Sequence, residues 1–211
     1  MNKQQALQDI RAARVVAVVR AESGDAAIAA ARALVAGGVR AIEFTFTVPN
    51  AAATIAKIAN DAELSSTLLL GAGTVTTVEQ ARTAIAAGAQ FLVSPVALAE
   101  VIGVAREHDI AMLPGALTPS EVFQAHQMGG DIIKIFPAAR LGPEYLRDLR
   151  APFPDIPLMP TGGVDAGNAR QWLDAGAVAL GAGGKLVDVT AMRNGQWDVL
   201  TTRARELMAA L

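Results

Sequence analysis

Short β-branched apolar runs alternate with alanine-rich stretches along the whole chain. The runs fall at 15–20, 41–47, 68–73, 91–95, 110–114, 132–136, 157–161 and 178–181, and helical segments separate them. Each run is nearly continuous in apolar character, the pattern of a parallel strand covered on both faces. Four joints share one form: Ala36-Gly37-Gly38-Val39, Ala87-Gly88-Ala89-Gln90, Gln127-Met128-Gly129-Gly130 and Asp174-Ala175-Gly176-Ala177, each just before a strand. Glycine past a helix end supplies the left-handed cap that returns the chain to the sheet. Eight βα units predict a closed (β/α)8 TIM barrel as a single compact domain over 1–211, with an N-terminal helix at about 2–13. An open doubly wound sheet also alternates in this way. Its nucleotide fingerprint is missing, because Gly71-Ala72-Gly73 lacks the third glycine of G-x-G-x-x-G.

Composition narrows the chemistry. A chain of 211 residues that is 52% hydrophobic can bury a full core. Its net charge of −2 and lack of a basic block argue against a nucleic-acid partner. It has no cysteine, and His108 and His126 are its only histidines. A thiolate or histidine-rich metal site is therefore ruled out, an all-oxygen site stays open, and no cofactor is expected. The polar start and the lack of a membrane-length apolar run predict a soluble, cytoplasmic protein whose partner is a small molecule.

Barrel chemistry gathers at the carboxyl ends of the strands. Those ends carry Arg20, Glu43 with Thr45 and Thr47, Thr74, Ser94-Pro95, Pro114, Lys134, Thr161-Gly162-Gly163 and Gly183-Gly184. Lys134 is one of four lysines, and it interrupts the apolar run Ile132-Ile133-Lys134-Ile135-Phe136. An unpaired buried ammonium costs several kcal/mol, whereas a neutral amine is a nucleophile toward carbonyl carbon. Glu43 is the one acid of twenty that lies well inside a strand run. The two together read as a proton-transfer pair. Two plainer readings stay open, a structural ion pair and a lysine whose stem packs while its head reaches water. Thr161-Gly162-Gly163-Val164, with Asp165 predicted to open a helix, has the form of an anion-binding turn, and Gly183-Gly184 can supply its other half beside Lys185. Trp172 reads as core, and His126 as a surface or boundary residue.

The motifs Ala41-Ile42-Glu43-Phe44-Thr45-Phe46-Thr47, Gly71-Ala72-Gly73-Thr74-Val75, Val93-Ser94-Pro95, Leu113-Pro114-Gly115, Ile133-Lys134-Ile135-Phe136-Pro137 and Pro160-Thr161-Gly162-Gly163-Val164 occur in that order. Together they resemble the 2-keto-3-deoxy-6-phosphogluconate aldolase family, which includes 4-hydroxy-2-oxoglutarate aldolases. The resemblance implies a metal-independent class I aldolase on a (β/α)8 barrel, commonly a homotrimer. It implies that Lys134 forms a Schiff base with pyruvate and that Glu43 is the general acid/base. Thr74 would hold the pyruvyl carboxylate with Arg20 beside it, and Pro95 and Phe136 would wall the pocket. Thr161, Gly162, Gly163, Gly183 and Gly184 would form the far, phosphate-binding end. Many relatives have arginine where this chain has Thr47, and serine where it has Gly184. The implied reaction is reversible cleavage of 2-dehydro-3-deoxy-6-phosphogluconate to pyruvate and glyceraldehyde 3-phosphate. Alternatives are 4-hydroxy-2-oxoglutarate or the phosphogalactonate epimer as substrate; more remote ones are a phosphosugar isomerase and a non-catalytic phosphate-ligand barrel.

Overall fold

Parallel strands and helices alternate through residues 2–211, the part of the chain described by a computed structural model. Strands β1 (Val15–Val19), β2 (Ala41–Thr45), β3 (Leu69–Gly73), β4 (Phe91–Val93) and β5 (Ala111–Leu113) pair in sequence order. Three more, β6 (Gly115–Ala116), β7 (Ile133–Ile135) and β8 (Leu158–Pro160), form a second parallel sheet, and β9 (Leu180–Ala182) pairs with β1. The result is an α/β fold built on curled parallel sheet.

Eight strands were expected, and nine are described, because Pro114 divides the fifth. Proline has no N–H to give to a ladder, so pairing lapses at that residue and resumes at Gly115. The carbonyls still engage the next strand: Met112 O accepts from Asp131 N at 2.9 Å and Pro114 O from Lys134 N at 2.9 Å. On the other flank Val178 N donates to Leu158 O at 3.0 Å, and an isolated bridge joins Thr161 to Gly181.

The helices are α1 (Lys3–Ala13), α2 (Gly24–Ala36), α3 (Ala51–Ala59), α4 (Ala62–Ser65), α5 (Val78–Ala86), α6 (Ala99–Glu107), α7 (Pro119–Gln127), α8 (Gly142–Arg150), α9 (Ala169–Asp174), α10 (Val189–Arg193) and α11 (Trp197–Ala209). Local chemistry starts and stops them. Asn2, Ser23 and Thr77 side chains accept N–H groups of the first turns of α1, α2 and α5, and Thr118 with Glu121 makes a reciprocal capping box on α7. At the four joints Gly38, Gly88, Gly129 and Gly176 all adopt left-handed φ, between 97° and 102°.

Two hydrophobic layers result. Ile42, Phe44, Ile133 and Ile135 point outward into the helix layer, while Val16, Ala41, Leu69 and Phe91 face the interior. Helix α1 caps that interior from the amino ends of the strands. It packs on β1, β2, β3 and β5, buries Ala6 and Ile10, and ties Lys3 to Asp131 at 3.1 Å.

Two boundaries differ from expectation. Predicted strands overrun the observed ones at their carboxyl ends, at Arg20, Thr47, Pro95 and Phe136, where the chain leaves the ladder. Asp165 does not open a helix. It opens a turn in which its Oδ1 accepts from Gly167 N at 3.0 Å and Asn168 Oδ1 accepts from its own N–H at 3.1 Å, and α9 begins only at Ala169.

Candidate active site

Strand alternation turns Glu43, the middle of β2, and Lys134, the middle of β7, to the interior while their apolar neighbours face the helices. Their side chains are 1% and 4% exposed, and Lys134 Nζ lies 3.7 Å from Glu43 Oε1. That is ion-pair range, longer than a direct hydrogen bond. Neither carboxylate oxygen has a hydrogen-bond partner. Burial pushes the Glu43 carboxyl above its usual range, and the Lys134 and then the Arg20 charge oppose that shift. The Phe136 ring lies 5.3 Å from Lys134 Nζ and gives the amine an apolar, π-faced wall.

The other expected residues stand at the strand ends. Thr74 directly follows β3 at φ 54°, a left-handed conformation unusual for a β-branched residue and of a kind that clusters at functional sites. Its hydroxyl has no protein partner among the described residues. Arg20, just past β1, is exposed and free of hydrogen bonds, and its Nη1 lies over Gly183. Thr47 is held differently from a charged contact: its hydroxyl meets that of Thr45 at 2.6 Å, and the Thr45 hydroxyl also reaches Val19 O at 3.2 Å.

Thr161 is buried and packs so tightly on Gly181 that a Cβ there would fall 2.1 Å from its Oγ1. Gly162 and Gly163 turn with φ of 101° and 75° against Ala138 and Ala139, a conformation that favours glycine. Pro95 and Phe136 line a groove of about 220 Å³ with Val96, Gly115 and Met128. Gly184 borders a different space, a cavity of about 550 Å³ shared with Asp165, Lys185 and Arg203. Trp172 is core, and His126 on α7 is half-buried with its Nδ1 unpartnered. Among the described residues no group of three or more His, Asp or Glu side chains is placed to hold a metal ion.

Sequence reasoning passed over Gly73, which lies against the Glu43 carboxyl. The only signal was its place in Gly71-Ala72-Gly73, on the strand beside Glu43. Chemically, the constellation sets an amine beside a buried carboxyl group with free lone pairs.

The family model described as KDPG and KHG aldolase matches residues 7–203. The 2-dehydro-3-deoxy-phosphogluconate aldolase of Treponema pallidum (strain Nichols) is 35% identical over 196 residues, covering 92% of each chain. The enzyme of that name from Dickeya dadantii (strain 3937) is 36% identical over 208 residues, 98% of this chain and 96% of its own. Among solved structures, KDPG aldolase from Legionella pneumophila, with pyruvate captured at low pH as a covalent carbinolamine intermediate, superposes with a TM-score of 0.87. It is 30% identical and covers 96% of this chain and 98% of its own.

Proposed function

As the chain belongs to the KDPG and KHG aldolase family, we propose that it cleaves 2-dehydro-3-deoxy-6-phosphogluconate reversibly to pyruvate and glyceraldehyde 3-phosphate through a Schiff base on Lys134. One observation carries this reading: an interior amine 3.7 Å from a buried carboxyl whose oxygens have no other partner. The Lys134 amine adds to the C2 ketone, Glu43 hands a proton to the departing hydroxyl, and water leaves to give the protonated imine. Glu43, now ionised, takes the C4 hydroxyl proton as the C3–C4 bond breaks. The electron pair moves into the C2–C3 bond, so an enamine forms rather than a bare carbanion, and the aldehyde departs. Glu43 returns its proton to C3, and hydrolysis releases pyruvate.

Thr74, with its free hydroxyl at the end of β3, would bind the pyruvyl carboxylate. Arg20 would stand beside that carboxylate, and the turns at Thr161-Gly162-Gly163 and Gly183-Gly184 would hold the far phosphate, with Pro95 and Phe136 as the wall. Thr47, tied to Thr45, offers no charge to the carboxylate, and Gly184 offers no hydroxyl to the far phosphate, which loosens selection for that group. The second reading is therefore the same chemistry on 4-hydroxy-2-oxoglutarate or on the phosphogalactonate epimer.

The two sheets would close as a (β/α)8 barrel in one domain. Support comes from the Thr161–Gly181 bridge on one side and the single-residue lapse at Pro114 on the other. A homotrimer fits the exposed apolar side chains Val96 and Met128, which flank one groove.

The test is pyruvate with borohydride, followed by peptide mapping. A stable adduct on Lys134 is expected. No adduct, or one on Lys57 or Lys185 alone, would overturn the Schiff-base reading. A panel of 2-keto acids with and without the terminal phosphate then ranks the substrates.

A further inference from the structure

We propose that Gly73 is a positioning residue for proton transfer: the absence of a side chain there lets the Glu43 carboxyl stand opposite Lys134. The proposal rests on the aldolase reading and adds to it the element that sets where the acid sits.

A Cβ at Gly73 would fall 2.8 Å from Glu43 Cδ, 2.9 Å from Oε1 and 3.2 Å from Cγ. Those are its three nearest atoms apart from its chain neighbours, so the close contact is with the acid itself. Gly73 is the last residue of β3 and does not adopt a left-handed φ, so its backbone would accept an L side chain. Glycine here answers the carboxyl, not the turn. Gly71, two residues earlier, answers a different neighbour, the Phe91 ring.

The oxygen that a methyl group would press, Oε1, is the one 3.7 Å from Lys134 Nζ. The carboxyl cannot swing into solvent to escape, because Glu43 is 1% exposed. It must move within the interior, and the distance between the two groups that exchange the proton changes with it. Displacements of about 1 Å at a reacting group can reduce rate about a hundredfold. Thr74 turns the chain away immediately afterwards at φ 54°, so the residue assigned to the pyruvyl carboxylate and the one that seats the acid are consecutive.

The experiment is a double-variant cycle on Gly73→Ala and Glu43→Asp, read as kcat, KM and the pH profile of kcat. Gly73→Ala is expected to fold, to lose at least tenfold in kcat with KM little changed, and to displace the acid limb of the profile. Shortening Glu43 withdraws the carboxyl from the new methyl, so the double variant should lose less than the product of the two single losses. Turnover of Gly73→Ala within twofold of the parent overturns the proposal. So does a loss that multiplies simply with that of Glu43→Asp and leaves the pH profile in place. If Gly73→Ala alone fails to fold, recovery of folding in the double variant sustains the proposal and continued failure overturns it. Borohydride trapping of the parent keeps the two claims apart: an untrapped parent sinks the aldolase reading, whereas a trapped parent with an indifferent Gly73→Ala sinks only the positioning role.

Discussion

A carboxyl group without a hydrogen-bond partner is costly to keep ionised inside a protein, and Glu43 has no such partner and one amine 3.7 Å away. Desolvation raises its pKa above the ordinary 4.5, so the folded chain keeps a proton that the unfolded chain has already lost. The stability tied to this proton is fully present below pH 4.5 and is lost as pH rises through the folded-state value. Glutamine stays neutral throughout. Urea titrations of Glu43→Gln and the parent should therefore show the variant gaining on the parent as pH rises through the folded-state range of the Glu43 carboxyl. Turnover in the same variant should fall about 10²- to 10⁴-fold, the usual contribution of a positioned acid/base. Both charged residues were legible in the sequence because each contradicts the apolar run around it. Gly73 was not, since its part depends on a side chain from the neighbouring strand and so on register.

Among the elements, α1 has the clearest separate task. It fills the amino end of the interior with Ala6 and Ile10, far along the strands from the reacting groups. Ile10→Ala leaves a cavity there and should destabilise the protein by about 2–5 kcal/mol in chemical unfolding, while pyruvate trapping on Lys134 persists. Loss of trapping in a folded Ile10→Ala protein would show that α1 also shapes the site. Element order was readable from the alternation of apolar runs and glycine joints, and all four joint glycines cap as their spacing predicts. Boundaries were harder to read. Around Asp165 side-chain oxygens take the backbone donors that a helix would otherwise place, and a rule that sees only capping residues starts α9 too early.

At the scale of the molecule, covering the sheet with helices accounts for most of the apolar sequence but leaves Val96 and Met128 exposed at one groove. If copies of the chain meet there, sedimentation should give a trimer for the parent and a smaller species for Val96→Asp, because an unpaired charge in an apolar contact is costly. An unchanged trimer in that variant would place the interface elsewhere. The overall alternation was legible at this scale too. The interruption at Pro114 was harder to foresee, because a proline at a strand end and one inside a continuing strand look alike in sequence.

With α1 seated over the amino ends, the sugar acid, the aldehyde, pyruvate and water would share the mouth at the opposite end of the strands. On the Schiff-base reading, pyruvate would be tethered to Lys134 by a covalent bond when the chain of carbons parts, and the aldehyde would not. The helix at the back would thus impose a queue at the front: the free half would leave first, and the tethered half would wait its turn.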